Sequence, residues 1–344
     1  MRTTACRRLV LVLGLVLGVA VAPGAPAAPG RVNILCSSNP DWCEVVKREF
    51  GKTTGLQAEF VRLSSGAALA RLRAERANPT FDVWFAGSGD AHWVAQTEGL
   101  VDFVRPRAWG ELRPQLTKAV DGRYIPLYTG LHGFGVNDKL LKDKGLPVPE
   151  TWKDLGDARY RGLVAMPNPN TSGTGYVMMT TIIQVYGDEP GFDLLKAIHK
   201  NVAQYTRSGG DPSLLAGRGE VAIGVSFAND VVERARKGFP VRFLAPKDGT
   251  GYEIGGLSLV HGAANREGAL RLIDWALEPE NQRFGPQQGG EVSVQSHSRT
   301  PVDPDVPRFE DARLVAYDFG KYGTPAVRDA LIKRWTEQVF PLPR

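Results

Sequence analysis

The chain has 344 residues, of which 42% are hydrophobic, and a formal net charge of +5. Three arginines within residues 1–28, a stretch without acids, supply most of that excess, and no basic run occurs elsewhere. The charge therefore gives no case for a nucleic-acid partner. A chain of this length exceeds one comfortable hydrophobic core, so we expect two lobes.

The first 28 residues have the pattern of an export signal. Arg2, Arg7 and Arg8 precede an apolar run over residues 9–22, and small residues follow at 25–28. The run is shorter than the roughly 20 residues needed to span a bilayer, so we predict a secretory signal peptide over 1–28, cleaved on export to the periplasm. Cys36 and Cys43 then remain without a neighbouring histidine or further cysteine, which favours a disulfide in an oxidising compartment.

Next come three units of strand, polar loop and helix. The predicted strands are Val32–Leu35, Gln57–Leu63 and Phe81–Phe85, and the helices are Trp42–Thr53, Ala67–Ala77 and Ala91–Glu98. Strands alternating with helices predict a mainly parallel sheet that binds ligands at the carboxyl ends of its strands. The three connecting loops place there Ser37, Ser65, Gly66 and Ser88.

Two extended, glycine-broken stretches, Tyr124–Asn137 and Tyr252–His261, are predicted to cross between the lobes. Two such crossings can act as a hinge around a ligand cleft. Between them we predict a strand at 163–165, helices at 176–186, 191–200 and 213–216, and a strand at 221–226 that leads into a further helix. After the second crossing, helices are expected at 266–276 and 328–339.

The central stretch is Asn168–Tyr176, NPNTSGTGY, between a predicted strand and a predicted helix. Backbone N–H groups and the helix dipole favour an anion at a helix N-terminus, and glycines let the backbone approach it closely. Thr171, Ser172 and Thr174 add hydroxyl donors beside Gly173. The alternative is an ordinary turn with an N-cap.

Signatures of catalysis are sparse. The chain has no GxxxxGK[ST] and no HExxH motif, and its five histidines lack ligand spacing. Ser226 lies in GVSFA, close to a nucleophile elbow but with alanine in the last glycine position, so an exported serine hydrolase is a weaker alternative. Binding without catalysis is the predicted class, with no metal or cofactor.

Two acids are candidates for a second part of the site. Asp230 follows the strand at 221–226, and Glu253 lies in the second crossing. Asp230 could accept hydrogen bonds from sugar hydroxyls or pair with an ammonium group. The alternatives are a helix N-cap for Asp230 and a solvated loop acid for Glu253. If the ligand carries a phosphate, these acids should contact its hydroxyl-bearing end, since apposed like charges are costly.

Several motifs, taken in this order, resemble the periplasmic substrate-binding proteins of ABC importers that bind ferric ion, phosphonate or hexose phosphate. The motifs are CSSNPDWC, YTGLHGFGVN, NPNTSGTGY, GEVAIGVSFAND and KDGTGYEIGG. The resemblance covers the mature chain and implies a two-lobed α/β fold with a ligand cleft between lobes. Lobe 1 would comprise 29–130 plus 256–304, and lobe 2 would comprise 131–255 plus 305–344.

Within that group the chain looks closest to the hexose-phosphate binders. The resemblance implies phosphate contacts from hydroxyls and backbone N–H groups, and sugar contacts from an acid after the equivalent strand and the glutamate of GYEIG. Ferric-ion binders carry adjacent tyrosines where this chain has Phe227 and Ala228. Because the phenolate ligands are missing, ferric iron or a ferric chelate is a weaker alternative than a phosphorylated ligand. Phosphonate, such as 2-aminoethylphosphonate, is a further alternative. Asn229 replaces the histidine that often precedes the aspartate, which leaves the sugar open.

The positions implied for the ligand are Ser37, Ser65, Gly66, Ser88, Thr171, Ser172, Gly173, Thr174, Asn229, Asp230 and Glu253. The expected partner is an ABC permease of the inner membrane, and the expected state is a monomer.

Overall fold

The computed structural model describes residues 30–288, 290 and 293–344. The predicted signal peptide, residues 1–28, lies outside these residues. Within them, eleven strands form one sheet with the central order β2-β1-β3-β10-β5-β8-β6-β7. The strands are β1 (Val32–Cys36), β2 (Ala58–Arg62), β3 (Val83–Phe85), β4 (Val101–Asp102), β5 (Ile125–Val136), β6 (Val164–Pro167), β7 (Val202–Thr206), β8 (Ile223–Phe227), β9 (Arg242–Leu244), β10 (Tyr252–Val260) and β11 (Val294–Gln295).

Helices pack around this sheet, and four short 3₁₀ turns connect elements over 107–111, 153–156, 158–160 and 309–311. The helices are α1 (Pro40–Thr54), α2 (Ser65–Ala74), α3 (Gly89–Thr97), α4 (Pro114–Val120), α5 (Asp138–Asp143), α6 (Gly173–Tyr186), α7 (Asp188–His199), α8 (Asp211–Gly217), α9 (Ala228–Arg236), α10 (Arg266–Leu277), α11 (Pro279–Gln282), α12 (Phe284–Gln288), α13 (Phe319–Tyr322) and α14 (Pro325–Gln338).

The long strand β5 joins the two parts of the sheet. Its residues 125–131 pair antiparallel with β10, and its residues 132–136 pair antiparallel with β8. On either side, β1 pairs parallel with β2 and β3, and β6 pairs parallel with β7 and β8. The predicted crossing at Tyr124–Asn137 is therefore β5. The second predicted crossing is β10, which pairs with β3, β4 and residues 125–131 of β5. The chain reaches it from β9, which pairs with residues 134–136 of β5 in the second part of the sheet.

Separate hydrophobic cores define two lobes. Lobe 1 packs β1, β3 and α1 against β10 and α10, with Val32, Phe50 and Leu257 fully buried. Lobe 2 packs β6, β8 and α6 against the C-terminal α14, with Trp152 and Trp335 fully buried. The lobe boundaries expected from the sequence stay a prediction. One sheet with a separate core at each end, flanked by helices, is the predicted α/β fold of two lobes. Among the described helices, none is long and apolar enough to cross a membrane.

The disulfide between Cys36 and Cys43 is present. It ties the end of β1 to the first turns of α1, whose N-cap Asn39 accepts a hydrogen bond from the Trp42 amide. The loop after the first strand, which carries Ser37 and Ser38, is thereby held between two fixed elements. This loop forms one wall of the site.

Candidate functional site

A cleft of about 520 Å³ lies between the two lobes. Its lining is polar, with hydroxyl, amide and charged side chains interspersed with Tyr128 and Phe227. Eight of the residues predicted from the sequence contribute to it: Ser37, Ser65, Ser88, Thr171, Thr174, Asn229, Asp230 and Glu253. The carboxyl ends of the parallel strands of both lobes thus meet at one cavity, as the alternating pattern predicts.

Three serines of lobe 1 come together at one end of this cleft. Ser37 follows β1 and accepts a hydrogen bond from Trp84 Nε1 at 2.8 Å, and the Ser88 amide donates to Ser65 Oγ at 3.0 Å. Gly87 has φ +96° and leaves no room for a side chain, because an added Cβ would lie 2.6 Å from Ser65 Oγ. Ser88 Oγ is buried in the cleft lining, where it interacts with the Asp90 carboxylate and lowers the pKa of that group. Serine hydroxyls clustered in this way can donate to an acceptor-rich ligand such as a phosphate.

The N-termini of three helices lie beside these serines. Ser65 begins α2, Ser88 is the N-cap residue of α3, and Gly173 begins α6. An added Cβ at Gly173 would lie 2.0 Å from Ser88 Oγ and 2.9 Å from Ser65 Oγ, so the start of α6 approaches both hydroxyls closely. The positive ends of three helix dipoles therefore lie near the same hydroxyls. Together they favour an anion at this point without a positively charged side chain.

The loop Asn168–Tyr176 has two kinds of residue. Thr171 and Thr174 line the cleft. Ser172 does not, because its Oγ accepts a hydrogen bond from the Gly175 amide at 3.3 Å and caps α6. Ser172 is thus a helix cap with cleft-lining hydroxyls on either side of it, and the anion-binding role of this loop stays a prediction.

Gly66 and Gly173 also lie outside the lining residues. The Gly66 amide donates to the Thr171 carbonyl at 3.1 Å, so it is engaged by the opposite lobe. Gly173 contributes by its close approach to the lobe 1 serines. The sequence pattern places both glycines next to the site, and the structure gives them contacts between the lobes.

The acids predicted from the sequence lie in the same cleft. Glu253 is buried on β10, where Tyr128 Oη donates to its Oε1 at 3.0 Å. Asp230 lies in the first turn of α9 against Gly210, where an added Cβ would be 2.6 Å from its Oδ1. The buried Asn229 precedes it. Carboxylates and an amide beside one another can accept hydrogen bonds from hydroxyl or ammonium groups of a ligand.

Burial raises the pKa of Asp230 to about 7. Arg234 and Arg62 oppose this shift through their positive charges, while the neighbouring carboxylates of Glu233 and Asp211 reinforce it. Asp230 is thus poised to change charge near neutral pH, and a ligand group that favours its ionised form would lower its pKa again.

Sequence reasoning missed three arginines that line the cleft, Arg62, Arg207 and Arg234. Arg62 at the end of β2 donates from Nε to the Ser38 carbonyl at 2.9 Å and from Nη2 to Ser208 Oγ of lobe 2 at 2.8 Å. Burial lowers its pKa, with Asp211 and Asp230 acting in the opposite direction. The partners of Arg62 lie 24 and 146 residues away in the chain, so no local pattern marks this arginine.

A buried ion pair lies behind the serine cluster. Asp90 of α3 pairs with Arg328 of α14, and the side chains are 2% and 4% exposed. The Arg328 guanidinium also stacks over the Tyr176 ring at 4.2 Å. Burial raises the pKa of Asp90, and Arg328 opposes that shift. Arg328 therefore offsets a carboxylate that would otherwise stand uncompensated two residues from Ser88.

Other candidate groups do not form a reactive site. Ser226 is fully buried, and its Oγ donates to the Gly209 carbonyl at 2.9 Å. Within residues 30–288, 290 and 293–344, no group of three or more His, Cys, Asp or Glu side chains is placed to hold a metal ion. His92 and His132 are packed between aromatic rings in the interior.

Residues 78–321 match the family described as bacterial extracellular solute-binding protein. The periplasmic binding protein AfuA from Actinobacillus pleuropneumoniae, solved with exogenous fructose-6-phosphate bound, is 32% identical; the match covers 92% of this chain and 100% of AfuA with a TM-score of 0.88. The periplasmic binding protein P5PA is 29% identical over 90% of this chain and 99% of its own, with a TM-score of 0.87.

Sequence relatives point to the same class. An uncharacterized protein of Haemophilus influenzae is 37% identical over 94% of this chain and 95% of its own length. A Salmonella typhimurium protein named for binding 2-aminoethylphosphonate is 25% identical over 70% of each chain. Iron uptake protein A2 of Synechocystis is 23% identical over 88% of this chain and 90% of its own.

Proposed function

The chain belongs to the bacterial extracellular solute-binding protein family, whose members serve ABC importers as binding proteins rather than enzymes, and on that premise we propose that its ligand is a small phosphorylated organic anion. A hexose phosphate is the preferred class. The bound solute would be delivered to a permease of the inner membrane by a periplasmic monomer.

The convergence of Ser37, Ser65 and Ser88 with the start of α6 carries this proposal. Neutral hydroxyls and helix N-termini suit a phosphate, because they supply many donors to its oxygens. The Ser88 hydroxyl, buried in the cleft lining, can turn its hydrogen towards a ligand acceptor at this point. Preorganised donors also avoid the entropic cost of ordering side chains on binding.

The acids of the cleft suit the remaining part of the ligand. Asp230 and Glu253 can accept hydrogen bonds from sugar hydroxyls, and the adjacent Asn229 can both donate and accept. The fructose-6-phosphate in AfuA, which is 32% identical over nearly the whole chain, supports the same ligand class here.

The proposal is tested by replacing Ser88 with alanine and measuring the affinity for fructose 6-phosphate by calorimetry. Loss of one buried hydrogen bond to a charged group predicts about a tenfold weaker affinity. Ser298→Ala, at an exposed serine outside the cleft lining, serves as the control and should bind as the wild type does. Equal affinity of Ser88→Ala and the wild type would remove the serine cluster from the phosphate site.

A second candidate, 2-aminoethylphosphonate, is favoured by the acids themselves. Asp230 and Glu253 could pair with an ammonium group as well as with hydroxyls, while the phosphonate occupied the serine cluster. Competition between 2-aminoethylphosphonate and fructose 6-phosphate separates the candidates, since the true class should bind with the lower dissociation constant.

A further inference from the structure

The two lobes contact each other through backbone as well as side chains. At the N-terminus of α2 in lobe 1, the Gly66 and Ala67 amides donate to the Thr171 carbonyl of lobe 2 at 3.1 and 3.3 Å. These amides belong to the first turn of a helix, which has no acceptor of its own for them. The lobe 2 loop therefore caps a lobe 1 helix across the cleft.

Only glycine fits this contact at position 66. An added Cβ there would lie 2.8 Å from the Asn170 carbonyl oxygen and 2.9 Å from that of Thr171. Both neighbours are backbone atoms, which cannot rotate away as a side chain can. Gly66 is not among the residues with positive φ, so lobe 1 itself imposes no need for glycine at this position.

From these contacts we propose that Gly66 sets how far the lobes close and thereby sets ligand affinity, although it does not line the cleft. Alanine at this position would hold the Asn170–Thr171 segment away from α2. The Thr171 carbonyl would then no longer cap the helix, and the start of α6 would withdraw from Ser65 and Ser88. A ligand held from both lobes would lose contacts on one side.

Closure can be measured without any ligand by a zero-length carbodiimide crosslink. Lys237 of lobe 2 approaches Asp41 of lobe 1 at 3.3 Å, and the same amine pairs with Glu233 one helical turn earlier in its own lobe. Mass spectrometry gives the ratio of the product between lobes to the product within lobe 2. The second product corrects for differences in reagent and in lysine reactivity.

We expect the ratio of the two products to fall about fivefold in Gly66→Ala, a change equivalent to a modest shift between open and closed states. Gly51→Ala is the matched control, because Gly51 lies within α1 and an added Cβ meets only the Leu56 carbonyl at the ordinary distance of 3.5 Å. An unchanged ratio in Gly66→Ala would overturn the proposal. So would a wild-type protein that yields no product between the lobes, either alone or with fructose 6-phosphate.

Thermal unfolding excludes a folding defect as the cause. Alanine favours a helix more than glycine does, which offsets the loss of the Thr171 cap, so unliganded Gly66→Ala should melt close to the wild-type temperature. A lower melting temperature together with a lower crosslink ratio would instead assign Gly66 to the stability of lobe 1 and overturn the proposal.

The effect on affinity rests on the proposed function and uses fructose 6-phosphate as its probe. We expect Gly66→Ala to bind it about tenfold more weakly and Gly51→Ala to bind as the wild type does. Wild-type affinity in Gly66→Ala with a reduced crosslink ratio would contradict the link between closure and binding. Failure of the wild type to bind any sugar phosphate would refute the proposed function, while the crosslink ratio would still decide the role of Gly66.

Discussion

His132 gives the chain a calculable sensitivity to acid. It lies on β5 where the sheet passes between the lobes, fully buried, with its ring 5.6 Å from that of Trp152 and 4.9 Å from that of Phe227. Neither ring nitrogen has a hydrogen-bond partner among the described residues. Burial lowers the pKa of His132 from 6.5 to about 3, so the folded chain holds the neutral ring.

The sign of the pH dependence follows from this lowered pKa. The unfolded chain takes up a proton near the ordinary pKa of histidine, whereas the folded chain does not until the pH approaches 3. The stabilisation is present above the unfolded pKa and is lost as the pH falls below it. Between pH 7 and pH 5 the histidine should remove about 2 kcal/mol from the free energy of unfolding.

The test is urea unfolding of the wild type and of His132→Phe at both pH values. Phenylalanine keeps a ring between Trp152 and Phe227, and any packing cost is common to both pH values and cancels. The variant should lose about 2 kcal/mol less than the wild type on acidification. Phe134→Leu, a buried neighbour that also packs on Trp152, is the control and should show the wild-type pH dependence. Equal losses in the wild type and His132→Phe would refute the reasoning.

Three further changes test other parts of the structure. Reducing the Cys36–Cys43 disulfide should lower the free energy of unfolding by about 2 to 3 kcal/mol, seen as a lower melting temperature with a reductant than without it. Because burial raises the pKa of Asp230, its ionisation destabilises the unliganded protein as the pH rises from about 4 to about 7. The stability of Asp230→Asn relative to the wild type should therefore increase across that range, and the same pH dependence of the melting temperature in both proteins would contradict this. Arg328→Met should lower the free energy of unfolding by about 3 to 5 kcal/mol, because it leaves Asp90 unpaired in the interior. The double variant Arg328→Met with Asp90→Asn should lose less than Arg328→Met alone, and additive losses of the two single variants would argue against the buried pair.

The sequence predicted those parts of the site that depend on local pattern. The serine-bearing loops follow predicted strands and begin helices, so their convergence could be inferred from the parallel sheet. Predicted helix boundaries were short at the N-termini, because Ser65 and Gly89 begin α2 and α3 earlier than the apolar periodicity indicates. The stretch 168–176 follows β6 as predicted, but only residues 168–172 are loop, because α6 begins at Gly173 rather than at Tyr176.

The contacts between the two lobes could not be inferred from the sequence in this way. Arg62 reaches Ser208 across 146 residues of chain, and the pair of Asp90 with Arg328 spans 238 residues. Gly66 has the local context of a ligand-binding glycine, yet its amide contacts the backbone of the other lobe. A serine-glycine turn indicates available donors, and only the tertiary arrangement decides which acceptor receives them.

The central claim is tested most directly by thermal unfolding of the mature protein in the presence of one candidate ligand at a time. The ligands are fructose 6-phosphate, glucose 6-phosphate, fructose, inorganic phosphate, 2-aminoethylphosphonate and ferric citrate. A ligand at about 100 times its dissociation constant adds about 2.7 kcal/mol to the free energy of unfolding, which raises the melting temperature visibly. We predict a shift with a sugar phosphate and none with fructose at the same concentration. A shift with ferric citrate alone, or with 2-aminoethylphosphonate and no sugar phosphate, would contradict the assignment of a sugar phosphate to this cleft.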